Sequence, residues 1–328
     1  MENFHLYIGF LFLLTFALTF IIKYLAKRHK VIDIPNERSS HTIPTPRGGG
    51  LAIVISWYIG ISILFYFKII EPSLYYALMS GSLLAVISLI DDIFDIRPIF
   101  RMLVQLITAS LALYFLKDFG PIDILGYRMN ISFFFYPLVI IGIIWFINLF
   151  NFLDGIDAYA SLEAICMAFA FFLFTNHPIS LVLIASIAGF LIWNWPKAKI
   201  FMGDVGSTQL GFILIVSGIY FHNQNQFTIV NWLMLAAPFW FDATFTLYRR
   251  WRNKEKLSQA HSKHAYQRIV QAGFSHLKTD IYLVIINLVI IAMIYISGLI
   301  PSLEIPFLIS IILGLYFVTK QIDRKVAF

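Results

Sequence analysis

The sequence is poor in charge and nearly free of cysteine. Only 13% of its 328 residues are charged, against the roughly 25% that is typical of soluble globular domains. A single cysteine, Cys166, excludes an intrachain disulfide and a cysteine-cluster metal site. The net charge of +6 comes with no nucleic-acid-binding motif, so nucleic acid is not an expected partner. A membrane surface explains the basic residues better.

Apolar runs occupy most of the chain instead. Hydrophobic residues make up 59% of it, and a run of about 20 apolar residues is long enough to cross a bilayer as a helix. The eleven runs lie at about residues 4–25, 49–68, 73–90, 99–116, 132–150, 158–175, 179–195, 207–222, 229–247, 279–298 and 302–320. They predict an all-α, polytopic bundle in the lipid bilayer, with ten spans as the alternative. The first run lacks a cleavage site, so we expect it to remain as a span.

Basic residues give this bundle an orientation. All but three of the 24 lysines and arginines, Lys68, Lys117 and Arg128, lie in segments that follow odd-numbered runs. The positive-inside rule makes that side cytoplasmic, with the N-terminus outside and the C-terminus inside. The sequence thus predicts one transmembrane domain over residues 1–328. Its cytoplasmic loops fall at about 26–48, 91–98, 151–157, 196–206 and 248–278.

Clustered acidic residues also follow odd-numbered runs. They are Asp91, Asp92 and Asp95 after the third run, Asp154 and Asp157 after the fifth, and Asp204 after the seventh. Carboxylates gathered at one membrane boundary repel each other, and a divalent cation offsets that repulsion. Arg97 and Arg101 offer an alternative, because they could neutralise the acids without a metal.

Polar residues recur at every third position across the end of the fifth run. They are Asn148, Asn151, Asp154 and Asp157. Polar side chains at membrane depth are costly unless they face a cavity or each other, which makes this segment a candidate site. Hydrogen bonding between helices is the alternative interpretation.

The segment after the seventh run combines Asn194, Lys199 and Phe201 with an acid, Asp204, held between Gly203 and Gly206. The glycines permit tight turns and close approach of a ligand. Ser207 is predicted to cap the next helix, with that helix N-terminus aimed at an anion. The order of residues is not that of a P-loop.

Two loops add basic residues. The loop after the ninth run contains His261, Lys263, His264 and Arg268. Zinc binding by the two histidines lacks a third ligand, so contact with phosphate is favoured over it. Arg47 stands before three glycines in the first loop, where it either meets a phosphate or anchors the orientation. For each of these basic-loop residues, the alternative is that the loop only fixes the orientation of the protein in the membrane and contacts no substrate.

These motifs, in this order over roughly residues 33–268, resemble the polyprenyl-phosphate N-acetylhexosamine-1-phosphate transferases. The resemblance implies a Mg²⁺-dependent enzyme, with Mn²⁺ as a substitute ion, in the bacterial cytoplasmic membrane. Undecaprenyl phosphate would attack the β-phosphorus of a UDP-N-acetylhexosamine at the cytoplasmic face, and UMP would leave. Whether the chain forms a homodimer stays open.

The motif matches also imply roles for individual residues. Asp204 resembles the metal ligand. Phe201 and Asn194 resemble positions that hold the uracil, Phe201 by stacking, and the histidines resemble diphosphate contacts. The catalytic group would comprise Asp91, Asp92, Asp154, Asp157, His261 and His264. The substrate-binding group would comprise Arg47, Asn148, Asn151, Asn194, Lys199, Phe201 and Arg268.

Several alternatives stay open at this point. The last loop departs from relatives with more closely packed histidines and resembles the branch that starts surface polysaccharides such as O-antigen, including members that use 6-deoxy sugars. Synthesis of the first peptidoglycan lipid by the same chemistry is one alternative. A transporter with a buried acidic ion site is another, although acids at one boundary and the lack of a repeat disfavour it. Direct transfer is preferred to an aspartyl-phosphate intermediate, because a phosphate monoester is already charged at pH 7.

Overall fold

The computed structural model describes residues 3–35, 39–94, 96–124, 127–130, 132–257, 259 and 261–328. Nearly all the regular structure within them is helical. In chain order the helices are α1 (Phe4–Arg28), α2 (Gly50–Tyr66), α3 (Pro72–Met79), α4 (Gly81–Phe94), α5 (Pro98–Leu116), α6 (Tyr136–Phe152), α7 (Tyr159–Thr175), α8 (Pro178–Asn194), α9 (Asp204–Asn223), α10 (Ile229–Leu235), α11 (Ala237–Arg252), α12 (Ala265–Gln271), α13 (His276–Leu299) and α14 (Glu304–Asp323). Short 3₁₀ turns precede α6 (Phe133–Phe135) and α14 (Pro301–Leu303).

Two small antiparallel sheets accompany the helices. In the first loop, β1 (Ile32–Asp33) pairs with β2 (Thr45–Pro46). Between α5 and α6, β3 (Ile122–Ile124) pairs with β4 (Tyr127–Met129). This hairpin precedes the fifth predicted run, whose α-helix begins only at Tyr136.

Each predicted apolar run corresponds to a helix or a pair of helices, which confirms the polytopic helical fold. Six helices among the described residues are long and apolar enough to cross a membrane, and four shorter apolar helices of 10–17 residues stand beside them. The ninth run is divided between α10 and α11 at Ala236. Pro238 explains the break, because proline has no N–H to bond the carbonyl four residues earlier. The short helix α12 within the last long loop was not predicted.

Helix α9 lies at the centre of the bundle. Its residues from Val205 to His222 are all buried, because α2, α4 and α6 pack around it. Protein rather than lipid surrounds the helix, so it can carry polar side chains that find partners. Thr208 lies 3.1 Å from the Ser88 hydroxyl, and Gln209 accepts a hydrogen bond of 3.0 Å from Tyr58. The helices α1 and α14 lie at the other extreme and expose most of their surface.

Two glycines let α2 and α9 cross in direct contact at their N-terminal ends. A Cβ atom added to Gly50 would lie 2.4 Å from the Cα atom of Gly206, and one added to Gly206 would lie 2.7 Å from the Cα atom of Gly50. This crossing brings the end of the first loop against the segment that begins α9. The closest approach of the two backbones therefore lies beside Asp204.

We expect Gly206→Ala to destabilise the protein. The added methyl group meets backbone that cannot move aside, and overpacking of this kind costs about 1–3 kcal/mol. Thermal unfolding in detergent should show a lower midpoint. Gly314→Ala is the matched control, because no atom lies within 4 Å of its added Cβ. Equal midpoints for the two variants would contradict the close crossing.

Candidate functional site

A polar cavity of about 250 Å³ opens where the loops at one end of the bundle meet. Predicted site residues from four separate segments line it. They are Arg47 from the first loop, Asp92 from α4, Asn151, Asp154 and Asp157 from the end of α6 and the α6–α7 loop, and Asn194, Phe201 and Asp204 from the stretch that runs from the last residue of α8 to the first residue of α9. All four segments follow odd-numbered runs, so the structure brings together residues that the sequence placed on one side of the membrane.

Backbone hydrogen bonds fix the first loop against the segment before α9. The Phe201 N–H donates to the Pro46 carbonyl at 2.8 Å, and the Gly49 and Gly50 N–H groups donate to the Phe201 and Met202 carbonyls at 2.9 and 2.8 Å. Gly48 has φ of +95°, which side chains rarely adopt, so glycine is required at this turn. The pairing holds Arg47 and Phe201 on the same cavity.

The adjacent acids Asp91 and Asp92 face different surroundings. Asp92 lines the cavity, and its Oδ2 atom is buried with no hydrogen-bond partner among the described residues. Asp91 lies outside the lining, where it accepts hydrogen bonds from Arg101 and, at 2.9 Å, from the Ile96 N–H. Arg101 also reaches Asp204 at 3.5 Å and so joins two of the acids. Asp95 lies outside the described residues.

Asp154 is the acid most affected by the other carboxylates. It follows α6 in a loop that is only partly exposed. Burial raises the pKa of Asp154 well above its usual range, and the negative charges of Asp204, Asp157 and Asp92 raise it further. A cation in the cavity would relieve this repulsion.

The Asp157 side chain connects the α6–α7 loop with the start of α13 and with the segment between α8 and α9. Its Oδ2 atom lies 3.1 Å from Nδ1 of His276 and accepts the Ala198 N–H at 3.2 Å. The next residue, Ala158, has φ of +63°, and its N–H donates to Asn194 at 3.0 Å. The Asn194 amide also donates to the Ile200 carbonyl at 3.0 Å, so both of its ends hold backbone.

The start of α9 differs from the sequence prediction. The prediction that Ser207 caps this helix is wrong, because α9 begins at Asp204 and its first flanking residue is Gly203. Ser207 lies one turn inside the helix, where it donates to the Gly203 carbonyl at 3.2 Å and accepts from Asn151 at 2.9 Å. Gly203 has φ of +77°, and a Cβ there would lie 3.2 Å from Asp92 Oδ2. Asp92 therefore lies close to the glycine that directly precedes Asp204.

The donor chemistry of the cavity fits a hard divalent cation. Carboxylate oxygens are the ligands that Mg²⁺ prefers, and the Oδ2 atom of Asp92 has a free, buried lone pair beside the start of α9. Within the described residues, no three His, Cys, Asp or Glu side chains are close enough to hold a metal ion. The acids therefore surround a space and do not form a closed cluster.

The predicted histidines lie beside the cavity and not in its lining. His264 is buried near Asp242, at 3.6 Å, and Asp242 also accepts the first N–H of α12, from Ala265, at 2.8 Å. Burial, together with the nearby His264 and Arg250, lowers the pKa of His261 to about 4. Because His261 is neutral at pH 7, it can contact a phosphate as a hydrogen-bond donor but not as a cation.

Three other predicted residues contact protein outside the cavity lining. Asn148 exchanges two hydrogen bonds with Gln105, at 2.8 and 3.2 Å, which joins α5 to α6. Lys199 is exposed, with its amine 5.6 Å from the Trp193 ring. Arg268 is 2% exposed, donates to the Val326 carbonyl and pairs with Asp323 at 2.7 Å. Substrate roles for these three residues stay predictions.

Other cavity residues were not predicted as site residues. Ser40, His41, Gln267 and His276 line the cavity. His41 lies in the irregular first loop and His276 at the start of α13, and neither belongs to a spaced motif. Arg101, which the sequence offered as a counter-charge for the acids, lies next to Asp91 and Asp204.

Comparison with known proteins identifies a family model that covers three of the four cavity-lining segments. The family model described as glycosyl transferase family 4 matches residues 74–222. A probable undecaprenyl-phosphate N-acetylglucosaminyl 1-phosphate transferase of Bacillus subtilis is 31% identical over 79% of this chain and 75% of its own. An undecaprenyl-phosphate alpha-N-acetylglucosaminyl 1-phosphate transferase of Thermotoga maritima is 29% identical over 78% of this chain and 79% of its own. A phospho-N-acetylmuramoyl-pentapeptide-transferase of Lactococcus lactis is 28% identical over 63% of this chain and 68% of its own.

Proposed function

Because the chain belongs to the polyprenyl-phosphate N-acetylhexosamine-1-phosphate transferases of glycosyl transferase family 4, we propose that its polar cavity is the catalytic site. The protein is a membrane transferase that moves a sugar 1-phosphate from a sugar nucleotide to a polyprenyl phosphate. The donor is a UDP-N-acetylhexosamine or its 6-deoxy form, and the acceptor is undecaprenyl phosphate. The observation that carries the proposal is the convergence of the predicted residues from four segments on one cavity.

Asp204 and Asp92 are the residues that would hold a Mg²⁺ ion. Asp92 lies close to Gly203, the residue before Asp204, and it offers an unpartnered oxygen. A bound divalent cation would neutralise charge on the donor diphosphate, which is the main demand of phosphoryl transfer. Arg101, 3.5 Å from Asp204, keeps that carboxylate in place beside Asp91.

The chain's own residues position the two substrates. Phe201 lines the cavity with an aromatic ring on which a base can stack, and Arg47 lines it with a guanidinium whose Nη2 donates to the Asp92 carbonyl at 2.9 Å. The acceptor phosphate is mostly dianionic at pH 7, so attack needs no strong base. The transfer is therefore direct, without an aspartyl-phosphate intermediate.

An apolar groove of about 440 Å³ is the proposed site for the polyprenyl chain. It lies between α6, α9, α10 and α11, and its wall includes Phe146, Leu149, Trp232, Leu233 and Trp240. Leu149 and the cavity-lining Asn151 both belong to the last turn of α6, so the groove extends to the end of the helix that also carries cavity residues. A long hydrocarbon would bury apolar surface here while its phosphate reaches the carboxylates.

The whole chain is proposed to act as one transmembrane transferase domain in the bacterial cytoplasmic membrane. The distribution of lysine and arginine supports a cavity that opens to the cytoplasm. The proposed product starts a surface polysaccharide such as O-antigen or capsule.

The test is release of UMP by purified protein in detergent. Labelled UMP should appear only when a UDP-sugar, Mg²⁺ and undecaprenyl phosphate are all present. The panel should contain UDP-N-acetylglucosamine, UDP-N-acetylgalactosamine, a 6-deoxy sugar nucleotide and UDP-N-acetylmuramoyl-pentapeptide. If UDP-N-acetylmuramoyl-pentapeptide were the one donor of the panel that is turned over, the proposed role would be peptidoglycan synthesis and not polysaccharide synthesis. No acceptor-dependent UMP with any donor would refute the function.

A further inference from the structure

His41 has a buried ring nitrogen with nothing to bond. Its Nε2 atom has no hydrogen-bond partner among the described residues, although it is shielded from solvent. The residue lines the polar cavity. A buried polar atom without a partner is uncommon in a folded protein and calls for an explanation such as a missing ligand.

The His41 ring also meets the ring of Phe201. Their centroids are 4.8 Å apart and the ring planes are inclined by 67°, an edge-to-face contact. Both residues line the cavity, so one wall offers an aromatic surface for stacking and, beside it, a nitrogen for hydrogen bonding. A planar heterocycle with a polar edge fits that combination.

His276 fixes the position of this wall. Its Nε2 atom lies 3.1 Å from the carbonyl oxygen of Ser40, the residue before His41, and its Nδ1 atom lies 3.1 Å from the Asp157 carboxylate. The Nε2 N–H donates to the Ser40 carbonyl, while Nδ1 faces both the Asp157 carboxylate and the Asp157 backbone N–H, which lies 3.4 Å away. Asp157 in turn accepts the Ala198 N–H at 3.2 Å. A chain of contacts thus joins the first loop, α13, the α6–α7 loop and the segment that carries Phe201.

We propose that His41 reads the polar edge of the donor's uracil while Phe201 stacks on the base, and that His276 positions His41 through the Ser40 carbonyl. This inference rests on the proposed function, because it assumes a uridine diphosphate sugar as donor. As an N–H donor, Nε2 of His41 bonds the O4 carbonyl oxygen of uracil. Cytosine carries an amino group in place of the O4 carbonyl and would oppose the same donor.

Steady-state kinetics with UDP-sugar and with the corresponding CDP-sugar test the proposal. His41→Ala should raise KM for the UDP-sugar about tenfold with little change in kcat, the loss expected for one hydrogen bond. The ratio of kcat/KM for the UDP-sugar over that for the CDP-sugar should fall by a similar factor. A purely structural role would lower both activities and leave the ratio unchanged.

Two further variants test the Nε2 atom of His41 apart from its aromatic ring, and the positioning role of His276 apart from the contact made by His41. His41→Phe keeps an aromatic ring against Phe201 but lacks Nε2, so it should behave as His41→Ala does. His276→Ala should also raise KM for the UDP-sugar. The double variant should have a KM no higher than that of His41→Ala alone, because both changes remove the same interaction. His29→Ala, an exposed histidine at the end of α1, is the control and should match the parent protein.

The outcomes distinguish the inference from the function on which it rests. Wild-type KM and an unchanged base preference in His41→Phe would overturn the role of Nε2, while acceptor-dependent UMP release by the parent protein would leave the function intact. No acceptor-dependent UMP release by the parent protein would refute the function first, and the base-reading role would fall with it.

Discussion

Asp204→Asn is expected to lower kcat by about 10³-fold or more and to leave the protein folded. The substitution keeps the shape of the side chain but removes the charge that the proposed cation and Arg101 both face. Loss of a single preorganised charge contact at a transition state commonly costs about 10²–10³ in kcat, and loss of the metal adds to that. The residual rate should no longer respond to Mg²⁺.

The measurement is UMP release across a Mg²⁺ titration, with thermal unfolding to verify the fold. Asp123→Asn is the matched control, because this exposed aspartate belongs to strand β3, far along the chain from the cavity-lining segments. The UMP release of this control variant should depend on Mg²⁺ concentration as that of the parent protein does. Full turnover with unaltered Mg²⁺ dependence in Asp204→Asn would refute the metal assignment.

Asp92→Asn is expected to lower kcat by about 10²-fold or more with a small effect on KM for the sugar nucleotide. The neutral amide cannot supply a charged metal ligand from the position of the unpartnered Oδ2 atom. Substrate binding should survive, because Phe201 and Asn194 lie on other segments of the cavity.

Initial rates at varied UDP-sugar, with undecaprenyl phosphate in excess, separate the two parameters. Ser88→Ala, one turn before Asp92 on α4 and bonded to Thr208 at 3.1 Å, is a control for changes in helix packing. It should change thermal stability more than kcat. A kcat for Asp92→Asn within about threefold of the parent value would contradict a role in the transfer step.

Hydropathy predicted the helices because lipid as solvent leaves few alternatives to them. It could not predict the break at Ala236, since that depends on how Pro238 meets the preceding turn. It also could not identify α9 as the central helix. Burial of Gln209 and Thr208 depends on partners from α2 and α4 that lie far away in the sequence.

The cavity was predictable in part. Asp154, Asp157 and Asp204 followed from their spacing and position after odd-numbered runs, and they line one cavity. Spacing could not distinguish Asp91 from Asp92, because adjacent residues on a helix point about 100° apart and Arg101 holds only Asp91 closely. His41 and His276 were missed because their places depend on contacts between distant loops, such as the one from Ser40 to His276.

Cysteine labelling from each side of the membrane tests the convergence of the carboxylates most directly. In a Cys166→Ala background, single substitutions Asp92→Cys and Asp204→Cys are exposed to an impermeant maleimide in vesicles of either orientation. Both positions should react from the cytoplasmic side alone. Reaction of position 92 from one side and position 204 from the other would mean that the two residues cannot share a site.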